Sequence, residues 1–167
     1  TGISPREYAS HFDSVSVCLS KGLGAPVGSV IAGSPEFIAD ARRYRKIFGG
    51  GMRQAGVLAA AGIYALENNT GRLKEDHANA RYLAQQLSSV RGFDIDMESV
   101  QTNILIINLE RLGKTPEEAL AVLRERGVLL TLGNYMGVRA VTHLDVSAEQ
   151  VKRAAQIITE TFADHAR

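Results

Sequence analysis

Lys21 is the residue best placed in this sequence for covalent chemistry. It follows a run of alternating small polar and β-branched residues, 13–20, and precedes Gly22 and Gly24, which let a ligand approach the backbone closely. A lysine amine in a partly desolvated pocket becomes a nucleophile for carbonyl groups. The alternative interpretation is an ordinary solvated lysine in a loop.

A second candidate site is a basic segment that leads into a run of glycines. Four cations occupy residues 42–46, ending with Lys46, and Arg53 follows the glycines at 49–51. Because glycine adopts positive φ, successive N–H groups there could form an anion-binding nest for a phosphate or a carboxylate. The alternative is a solvated helix face that ends in a flexible turn, which explains three glycines less well.

Arg139 is a lone charge within the apolar segment 137–143. A buried guanidinium needs a partner, and its planar fork is suited to gripping a carboxylate through two hydrogen bonds. The alternative places Arg139 on an edge strand with its guanidinium in water. The sequence alone favours neither interpretation.

Metal and disulfide chemistry are not predicted. No metal-ligand spacing relates the four histidines, which are His11, His77, His143 and His165. Cys18 is the single cysteine, so an internal disulfide and a cysteine-based zinc site are excluded. We expect Cys18 to be a small buried residue in a protein of a reducing compartment, the cytoplasm.

The composition limits the class of protein and its partners. The 167 residues are 45% hydrophobic and 22% charged, which is typical of a globular protein. The formal net charge of +1 gives no overall field for nucleic acid or anionic lipid. No apolar run approaches the length of a bilayer span, so we predict neither a nucleic-acid nor a membrane partner.

The elements that must position these residues alternate between strands and helices, which predicts an α/β fold. Hydrophobic periodicity indicates strands at 13–20, 27–32, 93–97, 103–109, 128–132 and 137–143. Helices are predicted to begin at Ser34-Pro35, near Arg53 and Leu73, and at the capping boxes 115–118 and 147–150. We place a domain boundary near Gly92, which divides the chain into 1–92 and 93–167.

Four segments, in order, carry a resemblance to a known family. Residues 13–29, DSVSVCLSKGLGAPVGS, resemble the cofactor-lysine segment of the L-threonine aldolases, pyridoxal-phosphate (PLP) enzymes of the aspartate aminotransferase fold. Residues 46–54 (KIFGGGMRQ) are similar to the family's glycine-rich turn, 100–103 (VQTN) to the start of its small domain, and 139–145 (RAVTHLD) to its carboxylate-binding strand. The resemblance spans essentially the whole chain but only the carboxy-terminal half of a family member.

The resemblance implies a fold and a set of functional residues. Residues 1–92 would be the carboxy-terminal part of the PLP-binding large domain of a fold type I enzyme, and 93–167 its small α/β domain. Lys21 would form the Schiff base with PLP, and Arg139 would hold the α-carboxylate of the substrate. Lys46 and Arg53 match basic positions near the cofactor phosphate or a subunit interface.

The implied reaction is aldol cleavage of L-threonine or L-allo-threonine, β-hydroxy-α-amino acids, to glycine and acetaldehyde. We also expect the protein to form a homodimer or a homotetramer. Its phosphate-binding loop, its ring-stacking histidine and the aspartate that pairs with the pyridine nitrogen lie upstream of Thr1, so we expect the chain to be inactive without the missing amino-terminal half. Two alternatives stay open: another fold type I lyase or aminotransferase, and a non-catalytic dimerisation fragment.

Overall fold

The computed structural model describes residues 2–163, so His165 lies outside the described residues. The chain divides into two compact units, Thr1–Gly71 and Arg72–Arg167. The domain boundary predicted near Gly92 stays a prediction. None of the described helices is both long enough and apolar enough to cross a membrane.

The first unit consists of a two-stranded hairpin and three helices. In chain order the elements are α1 (Pro5–Ala9), β1 (Ser14–Cys18), β2 (Ser29–Gly33), α2 (Pro35–Ile47) and α3 (Gly56–Asn68). The two strands are antiparallel, with Ser14 opposite Gly33 and Cys18 opposite Ser29. The strands predicted at 13–20 and 27–32 are therefore confirmed.

Helix α2 begins at the position that the sequence predicts. The Ser34 side chain accepts a hydrogen bond from the Phe37 N–H at 3.2 Å, and Pro35 occupies the first turn. Phe37 packs over Gly33, where an added Cβ would come within 2.7 Å of the ring. The absence of a side chain at Gly33 thus allows α2 to begin directly after β2.

The second unit is a three-stranded antiparallel sheet with helices on one face. Its elements are α4 (Leu73–Leu87), β3 (Ile104–Asn108), a 3₁₀ turn (Glu110–Leu112), α5 (Pro116–Glu125), β4 (Thr131–Asn134), β5 (Gly137–Val141) and α6 (Ala148–Phe162). The strand order is β3-β5-β4, so β5 lies in the centre. Both predicted capping boxes are present, at the starts of α5 and α6.

The core of the second unit lies between the sheet and the helices. Its buried members include Leu83, Leu87, Leu105, Ile107, Leu123, Val138, Ala140, Ile158 and Phe162. Along β5 the side chains alternate, with Val138 and Ala140 buried and Arg139 and Val141 exposed. One face of the sheet therefore builds the core, and the other presents Arg139.

Three expectations from the sequence need correction. Residues 93–97 do not form a strand, because pairing is limited to one bridge between Asp94 and Asn108 before the Asp96 side chain accepts the Glu98 N–H and turns the chain. The strand predicted at 128–132 begins only at Thr131, where it reaches β5. Cys18 is exposed rather than buried, because both strands of its hairpin are largely exposed.

Candidate functional site

Lys21 occupies the tight turn at the end of the β1–β2 hairpin. Its carbonyl accepts a hydrogen bond from the Gly24 N–H at 2.8 Å. Gly24 has φ +72°, a conformation that favours glycine. The lysine side chain is exposed, so the turn presents the amine outward.

Buried apolar residues hold this turn against α3. Leu19 and Leu23, which flank Lys21, are both buried. The Leu19 side chain lies over Gly62 of α3, where an added Cβ would be 3.1 Å from Leu19 Cδ1. The Asn69 side-chain amide donates to the Leu23 carbonyl at 2.7 Å. The amine is therefore carried on a backbone anchored at several points.

Sequence reasoning missed the role of Asn69. In the sequence it marks only the end of a helix, since asparagine is common at helix termini. Its hydrogen-bond acceptor lies 46 residues earlier in the chain, and no local pattern points to it. Only the folded unit identifies Asn69 as a support for the lysine turn.

The glycine run forms the carboxy-terminal cap of α2. Gly49 has φ +84°; its N–H donates to the Lys46 carbonyl at 3.2 Å, and the Gly50 N–H donates to the Arg45 carbonyl at 2.7 Å. These two bonds form a Schellman motif. Both N–H groups are used by the helix, so the predicted anion nest is wrong for Gly49 and Gly50.

The third glycine makes room for Lys46. A Cβ on Gly51 would lie 3.1 Å from Lys46 Nζ and 3.0 Å from Lys46 Cδ. The Lys46 side chain thus runs along the backbone of Gly51, and Lys46 is exposed. Arg53 is also exposed, in the turn between α2 and α3. Among residues 2–71, Lys21, Lys46 and Arg53 share no hydrogen bond with one another.

Arg139 lies on the open face of the second unit's sheet. It pairs with Ile106 on β3 and Thr131 on β4, so the edge-strand interpretation is wrong, although its guanidinium does lie in solvent. Arg139 Nε is 3.3 Å from Thr131 Oγ1. Exposed Ile104, Ile106 and Val141 share this face. Apolar side chains of β3 and β5 and the Thr131 hydroxyl of β4 therefore lie around the Arg139 guanidinium.

A buried ion pair was not foreseen from the sequence. Asp76, in the first turn of α4, is 1% exposed. Arg72 binds both its carboxylate oxygens, at 3.1 and 2.6 Å. The hydrogen bonds to Asp76 raise the pKa of the Arg72 guanidinium, so this guanidinium is charged at neutral pH. A carboxylate four residues after an arginine is ordinary on a helix surface, and only the packing shows that this one is buried.

Metal-ligating side chains do not cluster in the part of the chain that the structure describes. Among residues 2–163, no group of three or more His, Cys, Asp or Glu side chains is placed to hold a metal ion. The His143 Nδ1 instead accepts a hydrogen bond from the Asp145 N–H at 3.3 Å. This contact turns the chain after β5.

Sequence comparisons relate the chain to known enzymes. Residues 1–110 match the family described as Beta-eliminating lyase. The chain is 47% identical over 155 residues to the low specificity L-threonine aldolase of Escherichia coli strain K12, covering 92% of this chain and 44% of that protein. The chain thus spans less than half the length of this relative.

Structural comparisons agree on the fold. A crystal structure of a putative L-allo-threonine aldolase from Listeria monocytogenes superposes with a TM-score of 0.76 at 20% identity, over 95% of this chain and 47% of that one. A structure of SPT with PLP gives 0.72 at 18% identity, over 96% and 42%. The predicted fold class, that of part of a PLP-dependent fold type I enzyme, is confirmed.

Proposed function

Since this chain belongs to the beta-eliminating lyase family, we propose that the protein containing it cleaves L-threonine and L-allo-threonine to glycine and acetaldehyde. The observation that carries the proposal is Lys21, presented on an anchored hairpin turn within a chain 47% identical to a low specificity L-threonine aldolase. The substrate class is a β-hydroxy-α-amino acid.

The first unit has side chains that suit two groups of pyridoxal phosphate, its aldehyde and its phosphate. Lys21 offers an exposed primary amine for the aldehyde, and Lys46 and Arg53 offer cations for the phosphate. None of these three side chains forms an ion pair with a described residue, so their charges are available to a ligand. When bound, PLP supplies the electron sink that the cleavage needs. The residues present therefore fit the aldehyde and the phosphate of this cofactor.

Arg139 would bind and orient the amino-acid substrate. Its terminal guanidinium nitrogens have no partner among the described residues, and the surrounding Ile104, Ile106 and Val141 offer no competing polar group. A bidentate pair with the α-carboxylate fixes both the position and the direction of the substrate. Orientation matters because the bond to be cleaved must be held in the geometry of its transition state.

We also propose that the working enzyme contains a further amino-terminal part and is a cytoplasmic homodimer or homotetramer. The proposal is supported by the exposed apolar side chains of the first unit, which need a covering surface. Val30 and Ile31 on the hairpin and Val57 and Tyr64 on α3 are all exposed. The single cysteine suits a reducing compartment.

A product assay on the full-length protein tests the proposed reaction. With PLP and either L-threonine or L-allo-threonine, we expect glycine and acetaldehyde in equal amounts. A keto acid formed from the substrate would instead indicate an aminotransferase or another lyase. A full-length protein that shows no cofactor absorbance would indicate a non-catalytic dimerisation role.

A further inference from the structure

Strand β5, which carries Arg139, ends at a buried hydroxyl group on the opposite face of the sheet. Thr142 directly follows β5 and is 3% exposed. Because side chains alternate along a strand, Arg139 and Thr142 lie on different faces, about 10 Å apart along the chain. Arg139 is exposed, whereas Thr142 faces the helices.

Each polar group of Thr142 forms a hydrogen bond. Its hydroxyl donates to the Asp76 carbonyl of α4 at 2.6 Å. Its N–H donates to the Asn103 carbonyl at 3.0 Å, and its own carbonyl accepts from the Asn103 side-chain amide at 2.8 Å. The end of β5 is therefore tied to the start of α4 and to the residue before β3.

The acceptor on α4 is itself firmly held. The Asp76 carboxylate is buried and bound by both terminal nitrogens of Arg72. A buried, paired carboxylate resists displacement because separation would leave a charge without compensation. Thr142 is thus hydrogen-bonded to a residue whose own side chain is held by an ion pair.

We propose that Thr142 is a positioning residue for Arg139, acting through strand β5, which its hydrogen bond to the Asp76 backbone carbonyl fastens to α4. This inference rests on the proposed carboxylate-binding role of Arg139. Among the described residues, Arg139 has only one side-chain partner, the Thr131 hydroxyl at 3.3 Å, so its place depends on its backbone. A backbone free to shift or twist would misalign the guanidinium fork, and small misalignments of a bidentate group are costly.

The test is a comparison of two ligands with the full-length, PLP-loaded protein. Glycine carries the carboxylate that Arg139 would bind, and methylamine is the same amine without it. Binding of each is measured by titrating the cofactor absorbance. Thr142→Val should weaken the binding of glycine about three- to tenfold, which is the effect expected from one lost hydrogen bond. The affinity for methylamine should change less than twofold. Thr142→Ser, which keeps the hydroxyl, should restore glycine binding.

Thr161→Val is a matched control. Thr161 donates its hydroxyl to a helix carbonyl, that of Ile157, at 2.6 Å and accepts a hydrogen bond from Arg126 at 2.7 Å. It lies on α6 and, among the described residues, has no hydrogen bond to β5. This variant should bind both ligands as the wild type does. Asn103→Ala removes a different hydrogen bond to Thr142 and should also weaken the binding of glycine but not of methylamine. This second variant keeps the test valid if Thr142→Val folds poorly.

A double-variant cycle and hydrogen exchange complete the test. In an Arg139→Lys background, Thr142→Val should have no further effect on glycine binding, because both substitutions act through the Arg139 guanidinium. In the cofactor-free protein, Thr142→Val should speed amide exchange in 137–142, and Thr161→Val should not. Equal weakening of both ligands, or additive effects in the cycle, overturns the inference. If Arg139→Lys itself leaves glycine binding unchanged, the proposed role of Arg139 fails instead.

Discussion

At the scale of the single residue, Lys21 combines an exposed amine with a well-anchored backbone. Gly24 closes its turn, and the buried Leu19 and Leu23 fix the turn in the unit. The combination suits a covalent tether, which must hold a ligand in place while its own amine stays reactive. A freely moving loop lysine would meet only the second requirement.

Lys21→Ala in the full-length enzyme should abolish covalent attachment of PLP and reduce threonine cleavage by several orders of magnitude. The reason is that the variant lacks the amine that tethers the cofactor and exchanges with the substrate. Absorbance spectra and glycine formation measure the two effects. Lys74→Ala, at an exposed position on α4, is the control and should behave as the wild type. Near-normal turnover in Lys21→Ala would make Lys46 the next candidate.

Arg139→Lys should lower kcat/KM for L-threonine by about 30- to 1,000-fold, or roughly 2 to 4 kcal/mol. Lysine keeps the charge but has no planar fork to orient a carboxylate. The cofactor spectrum of the resting enzyme should be unchanged, since this role involves only the substrate. Steady-state kinetics and spectra on one preparation test both statements. Unchanged kinetics would make Arg139 an ordinary solvated residue.

At the scale of the element, the glycine run ends a helix and carries Lys46. Gly49 takes the left-handed conformation of the cap, and Gly51 leaves space along which Lys46 lies. Each of these two positions therefore requires a glycine for a different steric reason. The glycine run therefore ends α2 in a defined conformation and positions the Lys46 side chain, which a flexible linker would not do.

Gly49→Ala should destabilise the last turn of α2 by about 1 to 2 kcal/mol, because a Cβ is strained at positive φ. Amide hydrogen exchange across Pro35–Ile47 measures the local effect. Gly71→Ala is the matched control, since its φ is not in that region and an added Cβ would meet nothing within 4 Å. Equal exchange in the two variants would show that the cap contributes no stability to α2.

At the scale of the whole molecule, the two units differ in how fully they bury their apolar side chains. The sheet of the second unit has a core that includes Leu105, Ile107 and Phe162. The first unit leaves both strands of its hairpin largely uncovered, and an isolated two-stranded hairpin is marginally stable. The unit that carries Lys21 is thus the one that most needs further protein around it.

The 167-residue chain by itself should bind PLP weakly or not at all. Lys21 supplies a covalent bond, but a tight site also needs a phosphate loop and a partner for the ring, which the resemblance places in the amino-terminal half. Spectral titration of the isolated chain against the full-length protein measures the difference. A stable protein-bound cofactor band with micromolar affinity in the isolated chain would contradict this prediction.

Local patterns in the sequence determined much of the fold and the identity of the candidate residues. Alternating residues predicted β1, and a β-branched run ended by a glycine predicted β2. The Ser34 cap and the two capping boxes predicted three helix starts, because a cap's hydrogen bonds involve neighbours in the chain. Lys21 and Arg139 stood out by residue type against their surroundings. Their roles followed from the resemblance and stay proposals.

Only the tertiary structure decided which residues support these positions. It placed β5 in the centre of its sheet, left Cys18 exposed, and joined Asn69 to Leu23 and Thr142 to Asp76. The two hydrogen bonds link residues 46 and 66 positions apart. Such contacts have no local signature, because they form only when packing brings distant segments together and burial makes an unpaired polar group costly.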